Sequence, residues 1–229
     1  TGDEQVELFR SVKAGNGRVE IALTDGGTLS AAQVNDLSVA GTANCYVVSA
    51  PGTYVFNARV RGNGAGEGVG FEPAIEMADG MTADWLWTDS EGLVSGVALD
   101  TTSGDIFLTV GEGRGNALVA LMQDGKVVWS WHVWVTDAPQ TMTYGNGTVF
   151  MDRNLGAAGT TAGGTDAYGM YYQWGRKDPF YGGEKTETSA NAFLEAKNGT
   201  VVNPAYPALD WAFSKSATTT DGAAANPMT

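Results

Sequence analysis

The chain contains a single cysteine, Cys45, and a single histidine, His132. Thiol chemistry assisted by an imidazole would have to use this pair. Each residue lies inside an apolar run, Cys45 in Asn44-Cys45-Tyr46-Val47-Val48 and His132 in Trp129-Ser130-Trp131-His132-Val133-Trp134-Val135. Those settings predict a small buried thiol and a histidine satisfied within a core or an interface. A Ser-His-Asp set would also depend on His132, and the Gly-x-Ser-x-Gly elbow is missing. With one cysteine, no intrachain disulfide can form.

The remaining candidate chemistry is equally open to inspection. The loop Arg61-Gly62-Asn63-Gly64-Ala65-Gly66-Glu67-Gly68-Val69-Gly70 lacks the G-x-G-x-x-G spacing and carries Glu67 where an anion would sit, so it reads as a loop and not a phosphate cradle. Transition metals need His or Cys clusters, which one of each does not supply. Calcium needs only oxygen donors, and Asp152, Asn154, Asp166 and Asp178 offer them without an EF-hand spacing. No cofactor is expected, with calcium as the open alternative. Twenty-six acidic residues allow many carboxylate pairs for glycoside hydrolysis, and no spacing selects one. The aromatic set Tyr168, Tyr171, Tyr172, Trp174, Phe180 and Tyr181 is dense enough to offer flat platforms to sugar rings or protein partners. Tyr171 and Trp174 alternate with their neighbours and also fit a small core.

These residues must be positioned by strands. Val127–Val135 and Leu118–Met122 flank the turn Gln123-Asp124-Gly125-Lys126, a strong hairpin signal because tight hairpin turns require positive φ. Within the second run Trp129, Trp131, Val133 and Val135 share one face. Ser130, His132 and Trp134 share the other, a mixed face suited to cover by a loop or neighbouring domain. Further strands are predicted over Cys45–Ser49, Tyr54–Val60, Val69–Ile75, Asp84–Thr88, Leu93–Leu99 and Asp105–Val110, with turns about every tenth residue, a sandwich spacing. Trp85 and Trp87 are predicted to share one strand face in the core. Residues 1–40 contain a strand at Val19–Leu23 and read either as the first hairpin of the sandwich or as the remnant of a preceding domain. After residue 140 the composition shifts to Gly, Ala, Thr and Tyr, and the single helical pattern is Ser189–Lys197.

Composition narrows the partners. A net charge of −13 disfavours nucleic acid and anionic membrane surfaces. No run approaches the roughly 20 apolar residues of a membrane span. No signal peptide is visible ahead of Thr1-Gly2-Asp3-Glu4, as in a mature or clipped chain.

The segments Met151-Asp152-Arg153-Asn154-Leu155-Gly156-Ala157 and Tyr171-Tyr172-Gln173-Trp174-Gly175-Arg176-Lys177-Asp178-Pro179-Phe180 resemble the Fibrobacter-type major paralogous domain of Bacteroidetes-type surface proteins. Residues 41–64 and 115–137 are similar to the β-domain that precedes it in fimbrillin-like and pilus-tip-like proteins of that group. The resemblance implies a mainly β chain: an immunoglobulin-like β-sandwich over 1–138, followed over 139–229 by a partial α+β, C-type-lectin-like module. It also implies a secreted, non-enzymatic adhesion or pilus subunit at the cell surface, outer-membrane associated as part of a fimbrium. Such a subunit joins others by strand addition. The alternatives are a carbohydrate-binding module, with Tyr172, Trp174, Phe180 and Tyr181 at the ligand, and a lectin-fold enzyme, for which Cys45 would be the sole reactive thiol. In this resemblance Asp152, Arg153, Asn154 and Asp178 form a structural network, with Arg153 clamping a carboxylate such as Asp178.

Overall fold

The computed structural model describes residues 9–15, 18–23, 28–68, 71–172, 176–180 and 200–206. Among these residues the chain is mainly β, and its strands, numbered in chain order, make two large sheets and one ribbon. The first sheet has the order β1 (Phe9–Gly15), β2 (Arg18–Leu23), β3 (Thr28–Asp36), β5 (Gly52–Asn57), β8 (Asp105–Val110), β7 (Val94–Asp100). The second runs β13 (Val201–Val202), β6 (Met81–Thr88), β9 (Gly115–Gln123), β10 (Lys126–Val135), β4 (Cys45–Val48). A separate two-stranded ribbon pairs β11 (Thr141–Thr143) with β12 (Val149–Met151). Parallel pairing of β3 with β5, from Val34 opposite Thr53 to Asp36 opposite Val55, makes the first three strands continuous with the sandwich sheet.

The expected hairpin joins β9 to β10. Its two turn residues, Asp124 (φ 52°) and Gly125 (φ 73°), both take the positive φ that matches a two-residue turn to the twist of the strands. Alternation then sorts the side chains. Trp129, Trp131, Val133 and Val135 from β10, with Ala117, Val119 and Leu121 from β9, pack into the main core. They meet Tyr54 and Phe56 of β5 and Ile106, Leu108 and Val110 of β8, with the Phe56 and Trp131 rings 5.2 Å apart. Each large side chain removed from water there contributes about 2–3 kcal/mol.

The second sheet is buried on its other face too. Leu118, Ala120 and Met122 of β9 and Leu86 and Trp87 of β6 form a second apolar cluster with Met170, Val202 and Tyr206. Residues after the sandwich strands therefore supply a third layer.

Two expectations are corrected. Trp85 and Trp87 do not share a face, because β6 shifts register between them: Trp85 lies opposite Val119 and Trp87 opposite the adjacent Leu118. The extra residue reverses the alternation, so Trp85 packs toward the main core and Trp87 toward the outer cluster. The strand expected over 69–75 does not form over its described part, where Phe71 makes only an isolated bridge to Gly62 and residues 72–78 are irregular. Pro73 lacks the N–H a ladder needs, and glycines crowd the approach. The predicted helix Ser189–Lys197 lies outside the described residues. Among the described residues, no helix is long and apolar enough to cross a membrane.

Candidate functional site

The outer face of the second sheet carries an unusual row of polar side chains. Asn116 of β9, Ser130 and His132 of β10 are all buried, and residues from 154–172 and 176–180 lie over them. Trp134 on the same face donates its indole N–H to the Ala157 carbonyl at 2.9 Å. The mixed face of the Trp-rich strand is thus a covered face, as its alternation implies.

Cys45 and His132 come together here. Strand β4 pairs parallel with β10 in a register that sets Cys45 opposite His132, and their Sγ and Nδ1 atoms are 3.2 Å apart. On the far side of the ring, Nε2 lies 2.8 Å from Asn116 Oδ1. Asn116 Nδ2 donates to Asp89 Oδ2 at 2.8 Å and to the Gly156 carbonyl at 2.9 Å. The expectation of a satisfied, buried histidine agrees with this arrangement. The expectation of a buried Cys45 does not: among the described residues β4 is the last strand of its sheet, Tyr46 and Val48 turn inward, and Cys45 is exposed at the edge. Its thiol nevertheless faces the covering layer, and desolvation pushes its pKa up to about 12. Burial likewise lowers His132 to about 3, so the imidazole is neutral near pH 7.

Beside this pair, Ser130 Oγ donates to Asp178 Oδ2 at 2.7 Å, and Lys177 Nζ reaches the same oxygen at 2.7 Å and the Ser130 carbonyl at 2.7 Å. Lys177 also sits 4.6 Å from the centre of the Trp129 ring. Desolvation lowers its pKa, opposed by the attraction of Asp178.

The four residues of the expected network are divided. Arg153, its side chain only 2% exposed, holds Asp152 Oδ1 from Nε at 2.8 Å and Asp137 Oδ1 from Nη1 at 2.9 Å. Its hydrogen bonds hold the Asp137 carboxyl down to about 2 and lower Asp152 as well. Asn154 Nδ2 donates to the Ala167 carbonyl at 3.2 Å. Asp178 is elsewhere, under Ser130, so the clamp closes on Asp137 and Asp152 instead. The reason is chain economy: Arg153 stands just past β12, next to the linker that leaves β10.

The proposed calcium donors do not converge, since Asp152 faces Arg153, Asp166 faces Thr161 and Asp178 faces Ser130 and Lys177. No group of three His, Cys, Asp or Glu side chains suited to a metal occurs among the described residues.

Of the aromatic candidates, Tyr168, Tyr171 and Tyr172 are exposed, so Tyr171 is not core. Phe180 lies beneath the Arg176 guanidinium, 4.1 Å from its ring centre. Trp174 and Tyr181 fall outside the described residues. The ribbon β11–β12 exposes all six of its residues, among them Met142, Val149, Phe150 and Met151. An open groove of about 510 Å³ runs beside it, lined by residues 150–155 with Gly159, Thr160 and Ala167.

No family model matches the chain, and no curated protein sequence matches it.

Neither the Cys45–His132 contact nor the Lys177–Ser130 contact has a local signature. Both depend on which strand becomes the neighbour of β10 and on the path of the covering layer.

Proposed function

We propose that the protein is a secreted, non-enzymatic surface subunit of the fimbrillin or pilus-tip kind, an immunoglobulin-like sandwich followed by a partial lectin-like module, which assembles with neighbouring subunits by strand addition. The ribbon β11–β12 carries this reading. Two-stranded ribbons are marginal in water, and among the described residues β11 and β12 pair only with each other and present large apolar side chains to solvent. An extended strand from another subunit would complete the ladder and cover Met142 and Phe150, with backbone hydrogen bonds supplying affinity and alternate side chains supplying register. Net charge of −13 keeps free subunits apart until such a strand docks.

Phe150→Lys places a charge on that surface without touching the sandwich core. The expected result is a folded variant, by near-ultraviolet circular dichroism, that no longer enters the polymeric surface fraction of the producing cells. Incorporation at the parental level would overturn the reading.

A second reading, glycan binding, is favoured by the exposed tyrosines Tyr168, Tyr171 and Tyr172. It requires glycan-array binding that Tyr172→Ala abolishes while the fold persists.

A further inference from the structure

Cys45, Asn116 and His132 come from three strands and form one hydrogen-bonded line whose direction can be deduced. Asn116 Nδ2 is committed to two groups that only accept, Asp89 Oδ2 and the Gly156 carbonyl. The other amide atom, Oδ1, therefore faces His132. An amide oxygen only accepts, so Nε2 carries the ring hydrogen, and in a neutral imidazole Nδ1 is then a bare lone pair. That lone pair lies 3.2 Å from Cys45 Sγ and accepts the S–H. The thiol is thus set against a base that Asn116 holds in a single tautomer.

We infer that Cys45 is an acyl-accepting thiol for activated esters or thioesters, with His132 as its general base and Asn116 as the residue that orients the base. The edge of the sheet supplies access. Hydrogen bonds to β10 begin at the Asn44 carbonyl and end at that of Val48, and in a parallel ladder alternate residues serve the neighbour. The Cys45 N–H consequently points out from the edge, where it can donate to an oxygen that gains charge as sulfur adds.

The step balances without an added oxidant or metal. Sulfur bonds to the acyl carbon as the thiol proton moves to Nδ1. The carbon–oxygen or carbon–sulfur bond of the donor then breaks, and the proton leaves the imidazolium with the departing alkoxide or thiolate. The products are S-acyl Cys45 and a free alcohol or thiol. Because burial disfavours both thiolate and imidazolium, the resting pair is neutral, and donors with good leaving groups are the ones within reach. The charged and titratable groups facing the pair are Asp89 behind Asn116, Lys177 and Asp178 around Ser130, and Tyr172. The Tyr172 hydroxyl is raised by burial and then by the charges of Cys45 and Asp178.

This inference is independent of the assembly reading, since its test needs only the free full-length chain and p-nitrophenyl acetate. One acetyl group per chain is expected, located on Cys45 by peptide mass spectrometry and absent from Cys45→Ala. Its rate is expected to stay nearly constant between about pH 5 and 8, because the base is already unprotonated there. The control is Cys45→Ala combined with Val47→Cys, which moves the thiol along the same face to a position opposite Trp134. That thiol is expected to react through its thiolate, about tenfold faster per pH unit. His132→Gln is expected to slow Cys45 by roughly 10²–10⁴. If that variant fails to fold, the comparison with the Val47→Cys thiol decides. Acetylation of Cys45 no faster than that of the control thiol near pH 6, or a rate that climbs in proportion to hydroxide, would overturn the inference.

Discussion

Cys45 Sγ and His132 Nδ1 stand 3.2 Å apart although 87 residues separate them. The contact exists because a four-residue strand from one end of the sandwich adds in parallel to the strand that ends it. It joins a cysteine on the edge of the sheet to a fully enclosed imidazole, and the burial of that imidazole has consequences for stability as well as chemistry.

His132 is buried neutral, with its pKa lowered to about 3 by desolvation. In the unfolded chain a histidine titrates near 6.5. Below that value the unfolded state binds a proton that the folded state refuses, so stability is full above about pH 6.5 and falls with acidification. The slope is about 1.4 kcal/mol per pH unit, continuing until the folded pKa is reached. Asp137 and Asp152, held low by Arg153, lose their contribution only below the ordinary carboxylate range. Urea midpoints measured between about pH 6.5 and 4.5 isolate the histidine effect. A flat profile in that window would refute the burial argument.

Lys177 and Asp178 both bond to Ser130, with the Asp178 side chain 1% and the Lys177 side chain 14% exposed. Removing one partner strands the other's charge. Asp178→Ala is expected to destabilise the chain by roughly 3–5 kcal/mol in chemical denaturation. The double variant Lys177→Met with Asp178→Leu is expected to recover much of that loss, because no buried charge remains. Equal losses for the single and double variants would show that the pair is not held by charge.

Gly156 has φ +80°, and a Cβ there would collide with the Met170 side chain and crowd Asn116 Oδ1. Its carbonyl also accepts from Asn116. Gly156→Ala is expected to cost about 1–3 kcal/mol from backbone strain alone. It is also expected to loosen the Asn116–His132 hydrogen bond, visible as faster hydrogen exchange and a shifted imidazole resonance. An unchanged imidazole spectrum would separate this turn from the polar line it supports.

Much of the sandwich was legible in the chain because its signals are local. The Asp124-Gly125 turn specifies its hairpin through backbone sterics, and the alternation of Trp129 to Val135 announces one apolar and one mixed face before any partner is known. Period-two counting puts Trp85 and Trp87 on one face, and the structure separates them because a bulge inserts a residue without marking the sequence. Arg153 as a clamp is what the resemblance of the Met151–Ala157 run implies, with a carboxylate such as Asp178 as its partner. The distant carboxylate it holds is Asp137 instead, because the linker's path decides it.

By itself, then, the sequence determined a mainly β chain, the central hairpin, the two-faced strand and an acidic surface, all set by nearest-neighbour sterics, periodicity and composition. Only the tertiary structure decided that β4 lies beside β10, which puts Cys45 against His132, and that Asn116 turns its oxygen toward the ring. The physical reason is that strand neighbours and buried hydrogen-bond directions arise from distant segments satisfying one another, and no short stretch of chain encodes them.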